Sequence, residues 1–129
     1  MTKNRYLGIY MDQSTAHLME IIPGGINAET INSEFTHELK EQDVKESETH
    51  MHNAEHHLQT AFYKKLGNVI KDFHEVLLFG PTTAKNELLN YLKKDHLFSA
   101  IKVQVKHSDK LTHNQQQAVV HDYFAIHNV

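Results

Sequence analysis

The stretch that most constrains the fold is Val76-Leu77-Leu78-Phe79-Gly80-Pro81-Thr82-Thr83-Ala84-Lys85. Four apolar residues without alternation suit a strand covered on both faces. Gly80-Pro81 then punctuates the chain before helix-forming residues resume, so the stretch predicts a buried strand feeding a helix. Thr82 or Thr83 is placed to cap that helix. The N–H groups left free there, together with the helix dipole, favour an anion at Gly80, Thr82 and Thr83, with Lys85 beside it. Taken alone, the stretch favours an ordinary capped helix closing a βα unit over a phosphate site, because neither G-x-G-x-x-G nor G-x-x-x-x-G-K-[ST] occurs.

The elements around this unit follow from periodicity. Leu7, Ile9 and Met11 alternate with Tyr6, Gly8 and Tyr10, the pattern of a half-buried strand. Asp12 to Thr15 reads as a turn and His17 to Ile22 as an antiparallel partner strand; Pro23-Gly24-Gly25 turns the chain into a third strand within residues 26–35. Residues 36–53 are charge-dense and poor in apolar side chains, and are expected to form an exposed functional loop. From Ala54 the period becomes helical. Leu58, Phe62, Leu66, Val69, Ile70 and Phe73 share a face, while Lys64, Lys65 and Lys71 lie off it as a solvated set. After the Val76 strand, Leu88, Leu89 and Leu92 stripe a helix ending near Asp95. Ile101, Val103 and Val105 alternate with Lys102, Gln104 and Lys106 in a last strand. A final helix opens near Thr112 and buries Val119, Val120, Tyr123 and Phe124. The expectation is a single α/β domain over residues 1–129. Its mixed sheet is an antiparallel N-terminal meander plus parallel strands, with about three helices, in a ribonuclease-H-like arrangement.

A chain of 129 residues with 40% hydrophobic and 22% charged residues fits one globular core. It has no cysteine, which excludes disulfides, thiolate metal sites and cysteine nucleophiles. No apolar run approaches membrane-spanning length. Met1 to Arg5 is not followed by the apolar core of a signal peptide, so a cytoplasmic protein without membrane contact is expected. The net charge of −3 conceals an asymmetry: residues 1–63 carry four Lys/Arg against ten Asp/Glu, whereas residues 64–110 carry nine Lys against five acids. Such a basic second half suits RNA or an acidic partner. A pI of about 6.4 is far from that of a strongly basic, autonomous nucleic-acid binder.

Several short motifs carry a resemblance. Tyr6-Leu-Gly-Ile-Tyr-Met-Asp12, Ala16-His-Leu-Met-Glu-Ile21, a polar loop, a long helix and Leu77-Leu-Phe-Gly-Pro81 with Lys85 follow in one order. That order resembles the middle domain of archaeal and eukaryotic class-one peptide-chain release factors. It also resembles their short bacterial single-domain relatives, to which Asp109-Lys110-Leu111-Thr112 with Gln115 is similar. The resemblance runs from about Tyr6 to Phe124 and implies a domain working at the ribosome near the acceptor end of tRNA. Family release factors carry Gly-Gly-Gln before the long helix; residues 36–53 contain no glycine, and Gly24-Gly25 lies in an earlier turn and is followed by Ile26. The resemblance therefore implies binding without peptidyl-tRNA hydrolysis. The expected function is a non-catalytic, translation-associated factor in hibernation, rescue or an accessory role. The expected RNA contacts are Lys85, Lys102, Lys106 and Lys110.

Two other readings stay open. One is a protein-interaction module, homodimeric or bound to another protein, with no nucleic-acid role. The other is a metal-dependent nuclease-like enzyme using Asp12 and Glu20, although the later strands add no convergent carboxylates and Asp12 is better explained as a turn former. Twelve histidines include the cluster His50-Met51-His52-Asn53-Ala54-Glu55-His56-His57. On a helix, His52 and His56 lie one turn apart and can share a zinc ion with Glu48. The competing explanation is a solvated, pH-sensitive surface. The pattern is not H-E-x-x-H, and His17, His74, His96, His107, His113, His121 and His127 are dispersed, each reading as surface or core filler.

Overall fold

In the computed structural model the described residues are 4–33 and 48–127; the side chains of residues 48–57 and of 126–127 lie outside that description. The strands are β1 (Tyr6–Met11), β2 (Thr15–Ile22), β3 (Gly25–Asn32), β4 (Glu75–Gly80) and β5 (Lys102–His107). The helices are α1 (Glu48–Ile70), α2 (Ala84–Lys93) and α3 (His113–His127), with a 3₁₀ turn at His96–Phe98. The strands form one mixed sheet in the order β3-β2-β1-β4-β5. β1 is antiparallel to β2, β2 is antiparallel to β3, and both β1–β4 and β4–β5 are parallel.

Local chemistry sets the two hairpins. Asp12 Oδ1 accepts from the Ser14 and Thr15 N–H groups at 2.8 Å each, a side-chain-closed turn that brings β2 back against β1. Pro23 and Gly24 make the next turn, and Gly24 supplies the φ of 88° that a side chain would resist. At β4, Gly80 has a φ of 149°, and a Cβ there would lie 2.3 Å from the Met11 carbonyl oxygen. Only glycine lets the end of β4 pass the end of β1 this closely.

The sheet is covered on both faces. Leu7, Ile9, Met11, Ala16, Leu18, Val76 and Leu78 meet Phe62, Leu66 and Ile70 of α1 and Leu88 and Leu92 of α2. On the other face Met19, Leu77 and Phe79 meet Val120 and Phe124 of α3. Tyr6 stacks on Phe124 with ring centroids 5.3 Å apart, and Tyr10 packs edge-on to Phe79 at 5.5 Å. Gly8 sits directly beneath α3, where a Cβ would come 2.3 Å from Val120 Cγ2. β1 is thus buried on both sides and not half-buried as its alternation predicts. Its polar-looking positions are tyrosines and a glycine, which the third helix covers.

The loop expected over residues 36–53 is corrected in its last part: Glu48 to Asn53 are already helical and open α1. Glu48, Met51, Ala54, Glu55 and Leu58 favour a helix before any apolar stripe is established, so propensity extends the element past what periodicity detects. Residues 34–47 of that expected loop, and Phe35 of the expected third strand, lie outside the described residues. No helix among the described residues is long and apolar enough to cross a membrane.

Candidate nucleic-acid interface

The loops at the carboxyl ends of β1, β4 and β5 gather at one edge of the sheet, the place where open α/β sheets commonly carry ligands. The Gly80–Thr83 loop is there. Thr83 occupies the cap position of α2 without a side-chain cap bond; Thr82 Oγ1 instead accepts from the Ala84 N–H at 3.3 Å. The Thr83 carbonyl receives the Asn86 and Glu87 N–H groups at 2.9 and 3.1 Å. Lys85 departs from its expected role. It is only 3% exposed, and its Nζ donates to the Thr82 carbonyl, so the ammonium closes the loop from inside. A buried ammonium already bonded to the backbone is poorly placed to meet an external phosphate.

The remaining lysines divide into two groups. Lys106 lies opposite Phe79 near the end of β5, on the exposed edge of the sheet. Lys110 follows in the loop to α3 and is also exposed. That loop is pinned at both ends: the Ser108 N–H donates to the Gly80 carbonyl at 3.1 Å, and Tyr10 Oη accepts from the Leu111 N–H at 3.0 Å. A reciprocal capping box then starts α3. Thr112 Oγ1 accepts from the Gln115 N–H at 3.2 Å, while Gln115 Oε1 accepts from the Thr112 N–H at 2.9 Å. Lys106 and Lys110 therefore stand on a fixed frame beside the Gly80–Thr83 loop.

Lys102 stands at the opposite end of the strand, about 13 Å from Lys106 at the usual strand rise. Its Nζ is 3.9 Å from Glu75 Oε2, and Glu75 is 7% exposed. Glu75 also hydrogen-bonds Tyr123, whose hydroxyl is pushed above its ordinary pKa by burial and by that carboxylate. Sequence periodicity placed Lys102 with Lys106 correctly on one strand face. It could not show that a buried acid from the neighbouring strand partners the first of them.

The nuclease-like pair does not converge. The Asp12 carboxylate closes the first hairpin, whereas Glu20, at the far end of β2, holds Arg5 through contacts of 2.9 and 3.1 Å. The backbone at His52 and His56 is helical within α1, but their side chains and that of Glu48 lie outside the described residues. Among the described residues no group of three or more His, Asp or Glu side chains is placed to hold a metal ion. Two dispersed histidines do meet: His17 of β2 and His113 of α3 have ring centroids 5.0 Å apart. Burial and the neighbouring His113 hold the His17 pKa below its ordinary value, partly offset by Asp12.

These elements and their order define a mixed five-stranded α/β fold, one that recurs within Pelota and an archaeal translation termination factor. Solved structures of the same fold include Pelota of Archaeoglobus fulgidus, which matches with a TM-score of 0.62 and 10% identity over 97% of this chain and 32% of that one. The archaeal translation termination factor aRF1 matches with a TM-score of 0.60 and 13% identity over 98% of this chain and 35% of its own. Pelota of Thermoplasma acidophilum gives 0.55 and 15% over 95% and 32%. The chain thus spans about a third of the length of each, and at these identities the likeness is one of fold. No protein-family model matches the sequence, and no curated protein matches it.

Proposed function

We propose that this chain is a non-catalytic, translation-associated factor that binds the ribosome or tRNA through sequence-independent phosphate contacts. The observation that carries the reading is the fold likeness over nearly the whole chain to part of a translation termination factor and of Pelota, in a sequence without Gly-Gly-Gln. Lys106 and Lys110, beside the Gly80–Thr83 loop, are the contacts the reading favours. Lys102 is secondary because Glu75 offsets its charge. Lys85 supports the loop rather than the ligand. A hibernation, rescue or accessory role in the cytoplasm is consistent with such binding.

Co-sedimentation of the purified chain with ribosomes, across a salt series and with nuclease-treated controls, tests the proposal. Binding should weaken steeply with salt. Lys106→Ser with Lys110→Ser should reduce the salt slope by about one unit per real phosphate contact, since each contact releases counterions. Failure to bind ribosomes, subunits or tRNA at low salt would overturn the reading, as would hydrolysis of peptidyl-tRNA by the purified protein.

A further inference from the structure

We propose that the furrow between α1 and α2 docks an acidic, amphipathic peptide segment of a partner protein. Two cavities of about 440 and 460 Å³ lie along this furrow and share Tyr91 and Lys94, so they form one continuous depression. Its size is that of a specific binding cleft, not of a packing fault.

The lining carries a net positive charge, with three lysines against two carboxylates. Lys64 on α1, Lys71 just after it and Lys94 just after α2 line it and are exposed, and none of them has an ion partner among the described residues. The two carboxylates keep their charge, and each is held in place by a hydrogen bond. Glu87 accepts from the Tyr63 hydroxyl at 2.7 Å, a contact that together with burial pushes the tyrosine well above its ordinary pKa. Asp95 accepts from the Leu97 N–H at 2.9 Å. Lys64 and Lys71, which helical periodicity assigns to solvent, line the furrow with Lys94 and make its charge predominantly basic.

The furrow also holds an apolar anchor in a fixed position. Leu97 is 70% exposed, the most exposed large hydrophobic among the described residues. It projects from the 3₁₀ turn that Asp95 caps at one end and that Ser99 Oγ closes by donating to the His96 carbonyl at 2.8 Å. Beside it the Phe98 ring lies over Gly67, where even a Cβ would come 3.3 Å from Cζ. A rigidly presented aliphatic group gains free energy only when another apolar surface covers it, and it loses little freedom on being covered. An apolar anchor within a charged rim is the anatomy of a protein interface. Single-stranded RNA instead calls for exposed aromatic platforms, and Tyr91 and Phe98 are both half-buried here. The partner that fits presents an apolar residue flanked by carboxylates.

The test uses the full chain and a fluorescein-labelled peptide about four helical turns long, with leucines along one face and glutamates elsewhere, read by anisotropy at low salt. Its glutamate-to-lysine counterpart and labelled oligouridylate serve as competitors. The acidic peptide should bind saturably. Lys64→Glu, Lys71→Glu and Lys94→Glu together should weaken it by roughly 10-fold or more, and Leu97→Ser by roughly 5-fold. Thermal melting should be unchanged in both variants, because the altered side chains are exposed, and Lys106→Ser with Lys110→Ser should leave peptide binding intact. Absence of saturable binding, or equal binding by the triple variant, overturns the proposal. Oligouridylate binding that depends on the same three lysines, with no effect on the peptide, would make the furrow an RNA site instead.

Discussion

β4 and β3 belong to one sheet and differ in almost every physical respect. All six residues of β4 are buried, whereas along the eight residues of β3 only Ile26 and Ile31 are even half-buried. The cause is position. β4 has a strand on either side, α1 and α2 over one face and α3 over the other, while β3 pairs only with β2. Two stretches that the sequence reads as strands therefore have very different sensitivities to change. The same contrast explains why the candidate site hangs from the carboxyl end of β4: a loop is held accurately only when the strand beneath it cannot move.

The largest break in that contrast comes from Phe79. Phe79→Ala empties a fully buried position between Tyr10 and α3 and should cost about 3–5 kcal/mol in urea unfolding, whereas Glu29→Gln on β3 should stay within about 0.5 kcal/mol. Similar losses at both positions would remove the distinction. A smaller effect is expected at Gly8, where an added methyl drives into Val120: Gly8→Ala should destabilise by about 1–3 kcal/mol. The loss should shrink when the change is made in a Val120→Ala background. Additive losses in the double variant would mean that α3 does not rest on β1 in this way.

The smallest effect lies where β2 meets β3 and α3. His17 sits among Tyr10, Asp12, Thr30 and His113, with Nδ1 3.1 Å from Thr30 Oγ1. Its pKa is depressed on folding, so below the ordinary histidine value of about 6.5 the unfolded chain binds the proton first. The contribution of His17 is therefore complete above that pH and declines as pH falls through the depressed folded pKa. A proton NMR titration of His17 should give a midpoint below the ordinary value, and His113→Ala should raise it. A midpoint at or above the ordinary value would sink the assignment.

Much of the scaffold was legible because it rests on short-range signals. The unbroken apolar run at Val76, the alternation at Ile101 and the helix opening near Thr112 each show in a few consecutive residues. The candidate site was legible only in part. Lys102 and Lys106 lie on exposed positions as alternation requires, and Lys110 is exposed in the loop beyond, but nothing local to Lys85 shows that its ammonium turns inward to Thr82. The Lys102–Glu75 approach, the His17–His113 contact and the joining of Lys94 to Lys64 and Lys71 are tertiary, made between elements whose spacing in the chain has no periodic signature. The half-buried reading of β1 fails for the same reason: its second covered face depends on a helix more than a hundred residues downstream.

The place of β1 in the sheet also sets an order of assembly. Its antiparallel pairing with β2 joins residues as close as Met11 and Ala16, whereas its parallel pairing with β4 joins Tyr6 to Glu75. The meander can zip from its own turns, but the chain must close a loop spanning more than half its length before Leu7 and Ile9 acquire their second strand neighbour. That closure sacrifices chain freedom before any contact rewards it, so β4 is expected to join the sheet after the hairpins have formed. Until β4 arrives, one edge of β1 is an open template of unpaired backbone groups, and the growing chain is most vulnerable to strand exchange with its neighbours during that interval.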